Sequence, residues 1–422
     1  MNFKSKAHFC ALWVGIALMA TPMAQSQDST STLQQSSRPL VVEFAKGVLA
    51  NHPGIAAAKA ELDAAKARAK GAGRALYNPE VEAGYENAAS TSTSVGISQT
   101  LDMSGKRKAR TATGLADVMA AKAALELVRK SLLANVLEAL AVHQSAFEHL
   151  QLTASKVRLA RDFLTLSQKR KTAGDLSESE LLTARLALSQ AMAEQSRAKG
   201  DLSRARERLA AIAGMPRDVW PFMVGTPQGA MLQSWSGELG QLPEMRLVRA
   251  QSDSFRTRIL LADKMRKADP TLGLSLGQES NGLGGNATLF GIRLSIPLQI
   301  RNSYSESVNA ARAEAVSAEA NARKMRQRVE ARLNATTERY LASASAWQDW
   351  QDVGAADLDA QRTLLKTLWE AGELNAVSYL IQLNQTFDAQ AAAIDLKGAL
   401  WRSWFDWLDA SNSATSWLEA IQ

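Results

Sequence analysis

Two periodicities share this chain. In four short stretches apolar side chains fall on every second residue, the period of a strand with one apolar face. Val81, Ala83 and Tyr85 alternate with Glu80, Glu82 and Glu86. Val95, Ile97, Leu101 and Met103 alternate with Gly96, Ser98, Thr100 and Asp102. Leu272, Leu274 and Leu276 alternate with Gly273, Ser275 and Gly277, and Phe290, Ile292, Leu294, Ile296 and Leu298 with Gly291, Arg293, Ser295 and Gln299. Polar loops, AASTS and NGLGGNA, join them into two pairs, at about 79–103 and about 271–299. Each strand runs about ten residues, the span of a tilted membrane strand. The same alternation also suits a soluble sheet packed on one face.

The rest of the chain has helical spacing and is rich in alanine, as in AAAKAELDAAKARAK. Short helices are expected from Pro53 to Tyr77 and from Pro243 to Ala268, each opening on a proline whose missing N–H costs nothing there. Long helices follow the strands, Ser104 to Thr172 and Ser303 to Glu370, each about 100 Å. Return helices run from Leu176 to Gly214 and from Leu374 to Ser411. In each half a short helix and a return helix, stacked end to end, match the length of one unbroken rod.

The order repeats. Pro53 answers to Pro243, Pro79 to Pro270, Gly96 to Gly291 and Gly174 to Gly372, with only slight drift in spacing. The chain reads as two copies of one plan, residues 27–240 and 241–422. The long helices break at KTAGDLSESELL and WEAGELNAVSYL, where Gly174 and Gly372 stand as left-handed C-cap glycines, at tips 173–177 and 371–375. Acids after each glycine favour the next helix's dipole.

Four strands cannot close a membrane barrel, for which about eight are the minimum. An open edge in lipid leaves backbone groups unpaired. If the strands cross a membrane, several chains must share one barrel, and three chains would supply twelve strands. Tyr77 and Tyr304 flank the strands, where an aromatic can sit at a membrane interface.

Composition narrows the setting. The 422 residues are 46% hydrophobic and 22% charged, neither disordered nor a helical membrane protein. Lys4 and Lys6, the apolar run Phe9 to Ala20 and Ala24-Gln25-Ser26 make residues 1–26 a secretory signal. The only cysteine, Cys10, lies within it, so a mature chain has no disulfide or thiolate metal site. The net charge of +7 is interspersed with acids, as in RKMRQRVEARLNATTERY, which describes a solvated helix face and not a nucleic-acid surface.

Catalytic chemistry has no carrier. His143 and His149 are six apart and fall on different helix faces, not in the i, i+4 metal pair. GLGG at Gly282 to Gly285 lacks the lysine and strand–helix setting of a phosphate loop. Trp401, Trp404 and Trp407 make a packing stripe on the last long helix, and the methionines are scattered. The chain is expected to be no enzyme, with no cofactor and no metal site.

The repeat, the paired Gly-acid-Leu turns, NPEVEAGYE, GISQTLDMSGKRKAR and GIRLSIPLQIRN together resemble the TolC family of outer-membrane efflux ducts. The GKR and IPL…RN runs are similar to its heavy-metal branch, the outer-membrane parts of cobalt–zinc–cadmium and copper exporters. The resemblance implies a mainly α protomer with four β-strands, forming a trimer with a twelve-stranded β-barrel in outer-membrane lipid and an α-helical barrel in the periplasm. It implies a passive exit duct served by a periplasmic adaptor (membrane fusion) protein and an inner-membrane resistance–nodulation–division pump. Drug-efflux or protein-secretion ducts of the same family, and a non-channel periplasmic scaffold, are the alternatives. The adaptor-contacting tips would be Gly174, Asp175, Leu176, Ser177, Gly372, Glu373, Leu374 and Asn375. In the family's best-known members, aspartates six and nine residues after the second tip glycine ring the entrance. Here those positions are Ser378 and Ile381, so a charged ring would draw on Glu178, Glu180 or Asp175.

Overall fold

The computed structural model describes residues 29–214, 217, 219–227, 229–235, 237–280, 284–354 and 358–421. The expected signal 1–26, with Cys10, and residues 281–283 of the second strand-joining loop lie outside the described residues. The elements run α1 (Ser29–Asn51), α2 (Pro53–Ala72), β1 (Glu80–Asn87), β2 (Thr91–Thr100), α3 (Lys106–Ala173) and α4 (Glu178–Ala213). They continue with α5 (Ala230–Ser234), α6 (Pro243–Met265), β3 (Thr271–Ser280) and β4 (Asn286–Ser295). The chain ends on α7 (Ser305–Gly354), α8 (Leu358–Ala371), α9 (Ala376–Ser411) and α10 (Ala414–Ala420).

The 68 residues of α3 make a rod of roughly 100 Å. Helices α2 and α4 pack along it, and α6 packs against both α3 and α7. Helix α9 lies along α3, α7 and α8. The second long rod, expected unbroken from Ser303 to Glu370, is described as α7 and α8, with 355–357 outside the described residues. Two short helices end earlier than their sequences suggest, α2 at Ala72 and α6 at Met265. Pro79 and Pro270 impose extended backbone on the residues before them, and Gly71 and Gly73 weaken the end of α2. Helices α1 and α10 had no strong period of their own. Helix α1 opens on a Ser- and Gln-rich run and contains Pro39.

The main core is a waist. Trp404, Trp407 and Leu408 of α9 are fully buried with Val136, Leu137 and Leu140 of α3, and the cluster takes in Val41 and Phe44 of α1. The stripe of Trp401, Trp404 and Trp407 is therefore packing. The connector between the halves straps across this waist. Gln144 of α3 accepts from the Met223 N–H at 2.9 Å and donates to the Met223 carbonyl at 3.1 Å. Tyr340 of α7 donates to the Pro227 carbonyl at 3.2 Å.

The four strands form one antiparallel sheet in the order β1-β2-β3-β4, with β1 and β4 at open edges. Register puts Val81, Ile97, Leu274 and Ile292 in one row, and Ala83, Val95, Leu276 and Phe290 in the next. These rows are bare, with Val81 77% and Ile292 67% exposed. The opposite face carries Glu80, Ser98, Gly273 and Arg293 in one row and Glu82, Gly96, Ser275 and Gly291 in another. At the strand–helix junction, buried Lys106 and Asp269 form an ion pair at 2.8 Å. Tyr77 donates to Asp269 at 2.8 Å. Lys106 follows the first strand pair and Asp269 precedes the second, so one buried contact joins the halves.

Candidate functional site: the paired hairpin tips

Helix α3 ends where Gly174 turns left-handed at φ 86°, and α8 where Gly372 does so at φ 80°. Both ends close with the same two bonds. The Asp175 N–H donates to the Arg170 carbonyl and the Glu373 N–H to the Leu368 carbonyl, each at 2.9 Å. The glycine N–H donates to Lys171 in one tip and Trp369 in the other, at 3.1 Å. These are Schellman closures, which need a residue that tolerates positive φ.

The next helices start with different caps. Ser177 forms a capping box with Glu180: the Glu180 N–H donates to Ser177 Oγ at 3.2 Å, and the Ser177 N–H donates to Glu180 Oε2 at 3.0 Å. The Ser177 backbone and side-chain donors hold the Glu180 carboxyl below its ordinary range, so it stays ionised. At the second tip, Asn375 Oδ1 accepts from the Ser378 N–H at 2.8 Å. Glu178 pairs with Lys171 at 3.0 Å, across the first turn. Asp175, Ser177, Gly372, Glu373 and Asn375 are exposed, whereas Leu176 is buried and Leu374 partly so. Of the two former candidate positions after Gly372, Ser378 is occupied by the cap and Ile381 is exposed.

The tips are one packed unit. Phe163 of α3, Leu176 and Ala184 of the first hairpin, and Trp369, Tyr379 and Leu380 of the second share a core. The rings of Phe163, Trp369 and Tyr379 lie 5.0 to 5.7 Å apart. Burial, with Glu370 and Asp162 nearby, pushes the Tyr379 phenol up to about 12. Arg170 closes this core from outside. Its Nη2 donates to the carbonyls of Trp369 and Glu370, at 2.8 and 2.9 Å. Its guanidinium lies 4.4 Å from the centre of the Trp369 ring. It thus caps the negative end of α8 from the neighbouring hairpin. Sequence reading missed Arg170. The available signal was the matched position of Arg170 and Leu368 before the two tip glycines, where only one half carries a cation.

Leu182 and Leu186 on α4, and Val377 and Ile381 on α9, remain exposed just behind the tips. His143 is buried at the waist and His149 bonds to Asp395 at 2.9 Å, so they share no site. Among the described residues no group of three or more His, Cys, Asp or Glu is placed to hold a metal ion. No helix among them is long and apolar enough to cross a membrane.

Residues 45–215 match the family described as outer membrane efflux protein. The cobalt-zinc-cadmium resistance protein CzcC of Cupriavidus metallidurans is 26% identical over 70% of this chain and 73% of that protein. The nickel-cobalt-cadmium resistance protein NccC of Alcaligenes xylosoxydans xylosoxydans is 25% identical over 68% of this chain and 66% of that protein. The Campylobacter jejuni CmeC outer membrane channel shares the fold with a TM-score of 0.68, covering 98% of both chains at 14% identity. The chain belongs to the outer membrane efflux protein family, by sequence over residues 45–215 and by fold along almost its whole length.

Proposed function

We propose that this chain is the outer-membrane exit duct of a tripartite exporter, and that its cargo is heavy-metal cations. The sheet carries the duct reading. It has a bare apolar face, a polar face and two unpaired edges. In lipid those edges must be paired. Two copies of this 4-stranded sheet would give a barrel of about eight strands, whose interior side chains fill. Three copies joined β4 to β1 give a twelve-stranded barrel with room for a passage, its apolar rows toward lipid and Glu80, Glu82 and Arg293 toward the lumen.

The helices then form the periplasmic wall. The halves 27–240 and 241–422 are a duplication, a reading supported by the matched element order and the identical tip closures. The exposed tip residues Asp175, Ser177, Gly372, Glu373 and Asn375 meet a periplasmic adaptor, which couples the duct to an inner-membrane pump of the resistance–nodulation–division type. Leu176 and Leu374 support that surface from beneath. Charge at the mouth comes mainly from Asp175, Glu178 and Glu180 of the first half. The metal assignment rests on CzcC and NccC, both named for metal resistance.

Deleting the gene in its host tests this. Cellular cobalt, zinc or cadmium should rise and tolerance fall, while tolerance to organic drugs stays unchanged. Unchanged metal content with lost drug tolerance would move the chain to drug efflux.

A further inference from the structure

A cavity of about 250 Å³ lies at the waist, under the connector strap. Its walls include Val41 of α1, Phe222 of the connector, Met231 of α5, Trp401 of α9, Trp417 of α10 and Ile421. Apart from Thr226, the lining side chains are apolar or aromatic. Trp401 is 5% exposed, and its indole Nε1 has no hydrogen-bond partner. Trp220, Trp347, Trp369 and Trp404 share that condition among the described residues, but of these five Trp401 is the one that borders the cavity. The Trp417 ring stands edge-on to it at 6.3 Å, fixing its orientation.

An N–H stripped of water and left unpaired favours any occupant that brings an acceptor. Water answers this poorly, because an ordered water needs two to four polar partners. An apolar cavity of about 150 Å³ already holds benzene. The volume here takes an aromatic ring with a short polar arm.

We propose that this cavity binds a small, largely apolar molecule with one hydrogen-bond acceptor, an aryl ketone or aryl ester in class, the acceptor receiving the Trp401 Nε1–H. Because its walls come from α1, the connector, α5, α9 and α10, an occupant ties the strap to the helices on both sides of it. The site is separate from the tips and from the sheet, so it stands whether or not the cargo is a metal.

Calorimetric titration of the full-length protein in lipid nanodiscs with 4-bromoacetophenone tests the site. One saturable binding event per chain is expected. Trp401→Phe keeps the ring but removes the donor and should weaken binding about tenfold. Ala230→Trp, at the cavity wall, should abolish it. Absence of saturable binding to the wild-type protein, or wild-type affinity in both variants, would overturn the proposal.

Discussion

Arg170 and Trp369 belong to different hairpins, yet the Arg170 guanidinium stacks on the Trp369 ring at 4.4 Å and donates to the Trp369 carbonyl at 2.8 Å. One cation therefore clips the two tips of a single chain together. Arg170→Ala removes a stacked cation and two charge-assisted bonds, about 2 kcal/mol of coupling at a partly exposed site. Arg170→Lys should rescue little, because a lysine offers no planar fork to reach two carbonyls while stacking. Spin labels at Asp175 and Glu373 should report a longer and broader distance in both variants. An unchanged distance distribution in Arg170→Ala would show that the shared aromatic core holds the tips without the clip.

The two tip glycines carry a separate expectation. Replacing Gly174 and Gly372 by Val forces a β-branched residue into left-handed backbone, at about 1–2 kcal/mol each. The reversals should shift while the sheet and waist, far along the rods, keep the assembly intact. The double variant should assemble normally and fail to restore metal tolerance. Normal tolerance would count against the tips as the coupling surface.

The buried Lys106–Asp269 pair joins the halves at the root of the strands. Lys106→Met leaves Asp269 buried and uncompensated, with a loss of about 3–5 kcal/mol. Lys106→Met combined with Asp269→Leu should recover most of it, since an apolar pair of similar volume is often neutral. Thermal unfolding of the two variants separates these outcomes. Equal losses would mean the Tyr77 bond to Asp269, and not the ion pair, holds the junction.

His143 sets a pH dependence at the waist. Burial, with Arg206 nearby, lowers its pKa to about 4. The unfolded chain binds the proton at the ordinary value of about 6.5, so it takes up protons first as pH falls. Stability is therefore complete above about pH 6.5 and declines toward pH 4, by up to about 3 kcal/mol. His143→Phe should flatten that part of the profile. Thermal unfolding between pH 7 and pH 4.5 gives the comparison.

Much of this architecture is legible from period alone. Val81 to Tyr85 and Leu272 to Leu276 alternate because one face of the sheet is bare and apolar, and nothing in the chain has to cover it. Gly174 and Gly372 mark the tips because left-handed closures exclude most other residues. Helix α1 was silent, since its packing residues Val41, Phe44 and Val48 follow a polar run and a proline. The Arg170 clip was silent for another reason. Its acceptors are backbone carbonyls of a helix about two hundred residues away, which leave no side-chain signature. The role of Glu180 also needed the structure: sequence offered it as a ring charge, and its carboxylate is bonded to its own helix cap.

The central claim is that three chains complete one membrane barrel. The most direct measurement is the native mass of the protein extracted by detergent from washed outer membranes. Three chains, separating into single chains only on heating, are the predicted result. A single chain released with the soluble periplasm would contradict the account.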